Sequence, residues 1–146
     1  RRGAVLVTSK FAKQSGSFAA GVGHPVIRVR KLIAQRDFTD VRVTVRAYWL
    51  ALDKGRPGEV YNLASGKAVT IRELLDMLLE LSDVEVEIEV DPDRLRPSDV
   101  EILLGDYSKF HADTGWEPRI PLSQTVEDLL NYWRQRLGVA TSPASA

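Results

Sequence analysis

The most restrictive feature of this sequence is the stretch Val84–Val90, in which apolar and acidic residues alternate without exception. Because successive side chains of a β-strand point to opposite faces, this period of two predicts a strand with one apolar and one acidic face. Glutamates at every second position also suggest a metal site, but along an extended strand they do not converge on one point. We therefore interpret the acidic face as solvated.

Segments typical of strands and of helices alternate along the rest of the chain. Strands are predicted at Pro25–Val29 and at Glu59–Leu63, and a short apolar stretch, Ile102–Leu104, follows later in the chain. A first helix is predicted over 9–20, where Ser15-Gly16-Ser17 interrupts the pattern, and a second runs from a cap at Thr39 or Asp40 to Gly55. A third helix begins at the capping box Thr70–Glu73. The last two are predicted over 106–114, where Gly115 ends the helix, and from a cap at Ser123 to Gly138. This order predicts the α/β fold class.

The composition of the chain excludes several classes of protein. Lys and Arg together number 20, as do Asp and Glu, so no net charge attracts the chain to nucleic acid or to an anionic membrane. No cysteine is present, which excludes disulfides and thiolate chemistry and leads us to expect a reducing compartment, the cytoplasm. No apolar run approaches the roughly 20 residues that span a bilayer. The sequence starts at Arg1 without a Met, so we expect a fragment or a processed chain.

Two separate segments each place an arginine near a carboxylate, beside a predicted turn or helix start. Arg36 is followed directly by Asp37, and Arg96 is followed shortly by Asp99. A planar guanidinium can bind phosphate through two hydrogen bonds, and a carboxylate can accept hydrogen bonds from a ribose diol. Two such units on separate loops could hold one nucleoside diphosphate. The alternative is that each arginine forms a surface ion pair with its neighbouring carboxylate, and the residues alone favour this alternative.

No arrangement of residues for catalysis or for metal binding is recognisable in the sequence. The two histidines, His24 and His111, are far apart and have no neighbouring ligands at metal-binding spacing. The glycines at positions 16, 21 and 23 lack the spacing of a dinucleotide-binding loop, and no Tyr-x-x-x-Lys sequence occurs. We therefore assign no catalytic residue and no metal ligand, and the motifs alone predict an α/β domain that could bind an anion.

Four segments, in order along the chain, resemble one family of enzymes. They are 36–50, beginning Arg-Asp-Phe-Thr-Asp-Val; 58–66, Gly-Glu-Val-Tyr-Asn-Leu-Ala-Ser-Gly; 95–100, Leu-Arg-Pro-Ser-Asp-Val; and 115–118, Gly-Trp-Glu-Pro. The chain resembles the C-terminal half of extended short-chain dehydrogenase/reductases, the NAD-dependent epimerase/dehydratase family, that act on nucleotide sugars. Within that family it is similar to GDP-mannose 4,6-dehydratases and GDP-6-deoxy-D-mannose reductases. Phe38-Thr39-Asp40 is closer to the reductases, whereas Lys10 resembles a lysine of the dehydratases.

The resemblance implies a C-terminal substrate-binding lobe of an extended Rossmann-fold dehydrogenase/reductase that lacks the N-terminal dinucleotide-binding sheet. In the family, the N-terminal half binds NAD or NADP and supplies the catalytic tyrosine and lysine, whereas the C-terminal half binds the nucleotide-diphosphate sugar. Carried over to this chain, Arg36 and Arg96 hold the pyrophosphate and Lys10 is a third phosphate contact. Asp99 accepts from the ribose hydroxyls, although it replaces a glutamate and its reach is shorter by one methylene.

The resemblance also implies a division of the chain and marks some departures. Residues 1–24 form a poorly matching N-terminal segment, 25–137 the nucleotide-sugar-binding lobe and 138–146 a flexible tail. Arg30-Lys31 replaces a Gly-Asn turn beside the nucleotide base, where the two cations could add phosphate contacts, block the base pocket or remain solvated. Val43 replaces an aspartate near a helix start.

A lobe of this kind without its N-terminal half exposes surfaces that the family covers. The strand Glu59–Leu63 would expose unpaired main-chain groups along its edges, and the helix face with Val45, Tyr48 and Trp49 would lose part of the sheet on which it packs. We therefore expect self-association or pairing with the missing half. Two functions remain open: the substrate-binding portion of a nucleotide-sugar reductase or 4,6-dehydratase, and a stand-alone nucleotide-diphosphate-sugar binding or assembly module without catalysis.

Overall fold

The computed structural model of the protein describes residues 7–21, 24–29, 32–82, 85–90 and 100–139. The chain divides into two compact units. Among the described residues, the first unit contains those before Ile33, the segment from Arg72 to Val90, and those from Ser123 onward. The second unit contains Ile33–Ile71 and the segment from Val100 to Leu122. Within the described ranges, no helix has both the length and the apolar character needed to cross a membrane.

The described residues form helices and strands in mixed order, which confirms the α/β class. The helices are α1 (Val7–Ala19), α2 (Val41–Lys54), α3 (Ile71–Glu80), α4 (Ser108–Thr114) and α5 (Leu122–Arg136). The strands are β1 (Val26–Val29), β2 (Gln35–Asp37), β3 (Ala68–Thr70), β4 (Glu87–Val90) and β5 (Ile102–Leu103).

In the first unit, β1 and β4 form a parallel pair that begins with Val26 opposite Glu87. Glu87 and Glu89 are exposed, whereas Ile88 between them is half-buried. The exposed acidic face predicted from the alternating pattern is therefore confirmed for Glu87 and Glu89, whereas Glu85 and Val86 lie before the strand and Val90 is itself 53% exposed. Helices α1, α3 and α5 supply most of the buried side chains of this unit, namely Phe11, Ala12, Leu74, Leu75, Leu78, Val126 and Leu130.

Helix α1 is continuous through Ser15-Gly16-Ser17, so the predicted interruption of this helix is wrong. A side chain at Gly16 would place its Cβ only 3.2 Å from Cδ1 of Leu137 and 3.5 Å from Cβ of Trp133. Ser15 is 1% exposed. Small residues thus let α1 pack closely against the end of α5, and this packing outweighs their low helix propensity.

In the second unit, β2 is the central strand of a sheet with the order β3–β2–β5. It runs antiparallel to β3 and parallel to β5. Arg36 and Asp37 therefore lie in a strand, and the prediction that they lie in a loop is wrong. The reason is that main-chain pairing on both sides orders this segment, while three residues are too few to show a period of two in the sequence.

Helix α2 packs its inner face into the core of the second unit. The carboxylate of Asp40 accepts a hydrogen bond of 2.8 Å from the main-chain N–H of Arg42, which confirms the predicted cap at Asp40. Val43 and Ala47 on the inner face are buried with Phe110 and Trp116, and around them pack Leu50, Ala51, Tyr61, Leu63, Tyr107 and Ile120. Val43 thus occupies a buried, apolar position of this unit.

The strand predicted at Glu59–Leu63 is not formed. No described strand pairs with this segment, and side chains hold it instead. The Tyr61 ring lies 5.1 Å from the Phe110 ring, and Nζ of Lys109 donates to the carbonyl of Val60 at 3.0 Å. The apolar pattern of this segment therefore reflects packing onto α4 rather than sheet pairing.

The N-terminal cap predicted at Ser123 is also wrong, because α5 already begins at Leu122. Pro121 directly precedes this helix. By contrast, Gly115 ends α4 as predicted, in the left-handed conformation with φ of 71°.

Candidate functional site

Arg36 occupies the middle of β2, opposite Val69 of β3 and Leu103 of β5. Its Nη1 donates to the carbonyl of Gln35 at 2.7 Å and, at a longer 3.4 Å, to the carbonyl of Glu101. The side chain is half-buried. Two main-chain acceptors therefore orient the guanidinium without neutralising it.

The remaining nitrogens of Arg36, Nε and Nη2, have no hydrogen-bond partner among the residues that the structure describes. The carbonyl of Glu101 also accepts from the main-chain N–H of Gln35 at 2.8 Å. The carbonyl of Glu101, just before β5, thus holds one side of the guanidinium. The edge that carries Nε and Nη2 has no partner among the described residues. An oriented and uncompensated guanidinium can bind a phosphate group.

Asp37 binds main-chain N–H groups and is not an ion-pair partner of Arg36. Its carboxylate accepts from Ser65 at 2.8 Å, from Gly66 at 3.0 Å and from Gly105 at 3.3 Å. One side chain therefore joins the end of β2 to two loops of the same unit. The alternative of a surface ion pair between Arg36 and Asp37 is wrong, because both residues have main-chain partners instead.

Two of the residues that Asp37 binds must be glycine for this arrangement to form. Gly66 has φ of +73°, and a Cβ there would lie 3.0 Å from the Tyr107 ring. A Cβ on Gly105 would overlap the Cβ of Ala64. The sequence contains both glycines but gives no sign that they meet at one carboxylate, since they are distant from Asp37 along the chain.

The other predicted site residues lie either in the first unit or outside the described residues. Lys10 is half-buried in α1 and belongs to the first unit, whereas Arg36 belongs to the second. Arg96 and Asp99 lie outside the described residues, as do Arg30 and Lys31. Their assignments stay predictions.

The surface of the second unit carries a polar network that was not predicted from the sequence. Oδ2 of Asp113 accepts from the Tyr61 hydroxyl at 2.7 Å and from Nε of Arg56 at 2.8 Å. These two contacts, the hydroxyl first, hold the pKa of the Asp113 carboxyl below its ordinary value. Beside it, Lys109 binds Glu59 at 2.7 Å and lowers the pKa of that carboxyl. No local pattern predicts this network, because its members are brought together only by the packing of α4.

We recognise no metal ligands and no catalytic groups in the geometry of the residues that the structure describes. Among the described residues, no three His, Asp or Glu side chains are placed to hold a metal ion. His111 forms a 2.9 Å hydrogen bond between its Nδ1 and the carbonyl of Trp116, which is a structural contact at the end of α4. His24 is exposed.

Comparisons with curated proteins show strong similarity to enzymes of GDP-sugar metabolism. Residues 1–129 match the family model described as GDP-mannose 4,6 dehydratase. The GDP-6-deoxy-D-mannose reductase of Pseudomonas aeruginosa is 34% identical over 132 residues, which are 90% of this chain and 43% of that protein. The GDP-mannose 4,6-dehydratase of Yersinia enterocolitica is 26% identical in an alignment 159 positions long, which covers 89% of this chain and 42% of that protein.

Solved structures give the same result for the fold. RMD from Pseudomonas aeruginosa, complexed with NADPH, has a TM-score of 0.86 and 31% identity, and the match covers 92% of this chain and 44% of that chain. UDP-glucose 4-epimerase from Thermotoga maritima, with UDP-glucose, has a TM-score of 0.70 and 28% identity, covering 88% of this chain and 40% of that chain. The predicted partial, C-terminal portion of an extended Rossmann-fold protein is confirmed.

This chain therefore spans less than half the length of the curated relatives that it matches. The match to the family model extends over most of the sequence, and two kinds of GDP-sugar enzyme are among its relatives. The resemblance stated from the sequence is confirmed, and the chain belongs to the GDP-mannose 4,6-dehydratase family within the extended short-chain dehydrogenase/reductases.

Proposed function

We propose that this chain is the portion of a GDP-sugar reductase or 4,6-dehydratase that binds the nucleotide end of the substrate. In this proposal Arg36 and Arg96 hold the diphosphate, Lys10 adds a phosphate contact, and Asp99 binds the ribose. The hydride-transfer chemistry of such an enzyme requires NAD or NADP and a catalytic tyrosine and lysine. This sequence has neither a glycine-rich dinucleotide loop nor a Tyr-x-x-x-Lys motif, so the chain would supply substrate binding and not catalysis.

The orientation of the Arg36 guanidinium is the observation that carries the proposal. A surface arginine serving only as an ion-pair partner would contact a carboxylate, whereas Arg36 donates to two main-chain carbonyls and keeps an open edge among the described residues. Such an arrangement leaves the positive charge available to an incoming anion. It also lowers the conformational entropy that the side chain would lose on binding.

The position of Glu101 supports placing Asp99 beside the same ligand. The Glu101 carbonyl accepts from Arg36, and Asp99 stands two residues earlier in the sequence, a separation that spans at most about 7 Å. Arg96 precedes Glu101 by only five residues. A diphosphate bound at the open edge of Arg36 would therefore be within reach of the segment that carries the other two side chains.

Calorimetric titration of the 146-residue chain with GDP-mannose, GDP and UDP-glucose tests this proposal. Each charge-assisted hydrogen bond to phosphate contributes about 1.5–3 kcal/mol, so Arg36→Ala and Arg96→Ala should each weaken binding about tenfold or more. Arg119→Ala is the matched control, because this arginine is in the same unit and 64% exposed, with a surface contact to Glu117. Equal affinity in the wild type and in the double variant would refute the site.

The second candidate function, an assembly module without catalysis, is favoured by a different observation. Helix α2 exposes large apolar side chains, with Trp49 at 70% and Leu52 at 86%. Absence of any heat of binding for all three nucleotides, together with self-association, would favour this alternative over nucleotide-sugar binding.

A further inference from the structure

Lys67 directly precedes β3, the strand that pairs with the strand carrying Arg36. In that antiparallel pair, Val69 lies opposite Arg36. Because side chains alternate between the two faces of a sheet, Lys67 belongs to the same face as Val69 and therefore as Arg36. A residue two positions away from a directly opposite pair is about 7–8 Å distant, which is within reach of long side chains. The register thus places a second cation on the face of the sheet that carries the Arg36 guanidinium.

The main chain at Lys67 is held in place by side chains of the same unit. The Ser65 hydroxyl accepts from the main-chain N–H of Lys67 and donates to the carbonyl of Lys67, both at 3.2 Å. The N–H groups of Ser65 and Gly66 in turn donate to the Asp37 carboxylate at the end of β2, at 2.8 and 3.0 Å. The turn before Lys67 is therefore attached to the strand that carries Arg36. On ligand binding, only the side chain of Lys67 would have to be ordered, which keeps the entropy cost low.

The charge of Lys67 is not compensated within the described part of the chain. Lys67 is exposed, and its ammonium group has no hydrogen bond or ion pair with a residue that the structure describes. Alternation also places Glu101 on this face, two residues before Leu103, which lies opposite Arg36. Among the described contacts, the Glu101 carboxylate pairs with neither of the two cations. Two like charges at this distance repel each other, and an anion bound between them would relieve the repulsion.

We propose that Lys67 is a further phosphate contact of the site at Arg36, and that it strengthens the preference of this site for a nucleoside diphosphate over an uncharged nucleoside. The inference rests on the proposed function, because it takes Arg36 to bind the diphosphate. In this arrangement the guanidinium donates to one phosphate from the edge with Nε and Nη2, and the ammonium donates to the other. Lys67 lies one residue beyond the segment 58–66, so the family resemblance does not assign it a role.

Calorimetric titration with GDP and with guanosine tests the role of Lys67. Lys67→Ala should weaken GDP binding about three- to tenfold, since an exposed cation contributes less than a half-buried one. Its affinity for guanosine should not change, which shows that the variant is folded. Lys67→Arg keeps the positive charge and should bind GDP within about twofold of the wild type. Lys54→Ala is the matched control, because Lys54 is an exposed lysine of the same unit at the end of α2, and it should bind GDP as the wild type does.

Arg36→Ala, titrated in the same series, separates the role of Lys67 from the proposed function. If Arg36→Ala weakens GDP binding and Lys67→Ala does not, the assignment of Lys67 is overturned while the diphosphate site stands. If the wild type binds GDP no more tightly than guanosine, or if Arg36→Ala keeps the full preference for GDP, the diphosphate site itself fails and the role of Lys67 with it. Equal losses for Lys67→Ala and Lys54→Ala would reveal an effect of net charge alone and would also overturn the assignment.

Discussion

Arg36 and Asp37 are adjacent in the sequence, and their side chains have separate tasks in the second unit. The guanidinium is oriented by the carbonyls of Gln35 and Glu101, and the carboxylate binds the N–H groups of two loops. The strand alternates its side chains between opposite faces, so neighbours in β2 do not meet each other. A sequence motif that joins opposite charges therefore does not by itself predict an ion pair.

Asp37→Ala should destabilise the protein by about 2–4 kcal/mol, because the main-chain N–H groups of Ser65, Gly66 and Gly105 lose a charged acceptor. Asp37→Asn should cost less, since the amide oxygen can still accept while the charge is lost. Urea unfolding monitored by tryptophan fluorescence measures both changes.

The control for this series is Glu80→Ala, which removes an exposed carboxylate at the end of α3. Its effect should stay within about 0.5 kcal/mol, as is usual for surface substitutions. If Asp37→Ala were no more destabilising than Glu80→Ala, the role of Asp37 in holding the two loops would be refuted.

At the scale of elements, the packing of α4 against α2 depends on Trp116. This residue is fully buried and its Nε1 donates to the carbonyl of Val43 at 3.3 Å. Its ring lies 5.5 Å from Phe110 and 5.4 Å from Tyr107. The indole thus joins the two helices through both apolar and polar contacts.

Trp116→Ala should therefore cost about 3–5 kcal/mol, the range for removing a buried aromatic side chain. Trp116→Phe retains most of the ring contacts and loses the hydrogen bond to Val43, so its cost should be smaller, about 1–3 kcal/mol. Chemical unfolding of both variants, with Val60→Ala at an exposed position as the control, checks this order. Equal losses for the two Trp116 variants would show that the ring contacts are unimportant.

The hydrogen bonds that Asp113 of α4 accepts from Tyr61 and Arg56 should make the free energy of unfolding depend on pH. The pKa of Asp113 is lowered in the folded state by the Tyr61 hydroxyl and by Arg56. A carboxyl with a lowered folded pKa contributes stability that is fully present above its unfolded pKa and is lost as the pH falls through its folded pKa. The wild type should therefore have a larger free energy of unfolding than Asp113→Asn at neutral pH. This difference in free energy should shrink as the pH falls below 3.8, the ordinary pKa of the carboxyl.

Urea unfolding of the two proteins at a series of pH values from about 7 to about 3 measures this difference. The carboxyl of Glu59, whose pKa is also lowered, is present in both proteins, and its contribution largely cancels. A difference that is constant with pH, or that grows on acidification, would contradict the role assigned to Asp113.

Elements whose signals are local could be predicted from the sequence. The side chain of Asp40 caps α2, and Gly115 ends α4, because a cap acts on residues only a few positions away. Residues 59–63 could not be predicted correctly, since their apolar side chains pack on α4, which lies much later in the chain. The same holds for Gly16, whose small size matters only because Trp133 and Leu137 pack there.

At the scale of the whole molecule, the candidate site was predictable only in part. Arg36 could be proposed as a phosphate-binding residue from the sequence and the family resemblance alone. Its supporting contacts with Glu101, and the binding of Gly105 by Asp37, join residues more than 60 positions apart. Such contacts arise from the order of the strands β3–β2–β5, which no local pattern contains.

The comparison of GDP with guanosine tests the central proposal most directly, because the two ligands differ only by the diphosphate. Calorimetry should show that the wild type binds GDP at least about tenfold more tightly than guanosine, and that an Arg36→Ala, Arg96→Ala double variant loses most of this preference. Both proteins should bind guanosine with similar affinity, which controls for folding. If the double variant kept the full preference for GDP, the diphosphate would be bound elsewhere, and the assignment of Arg36 and Arg96 would be wrong.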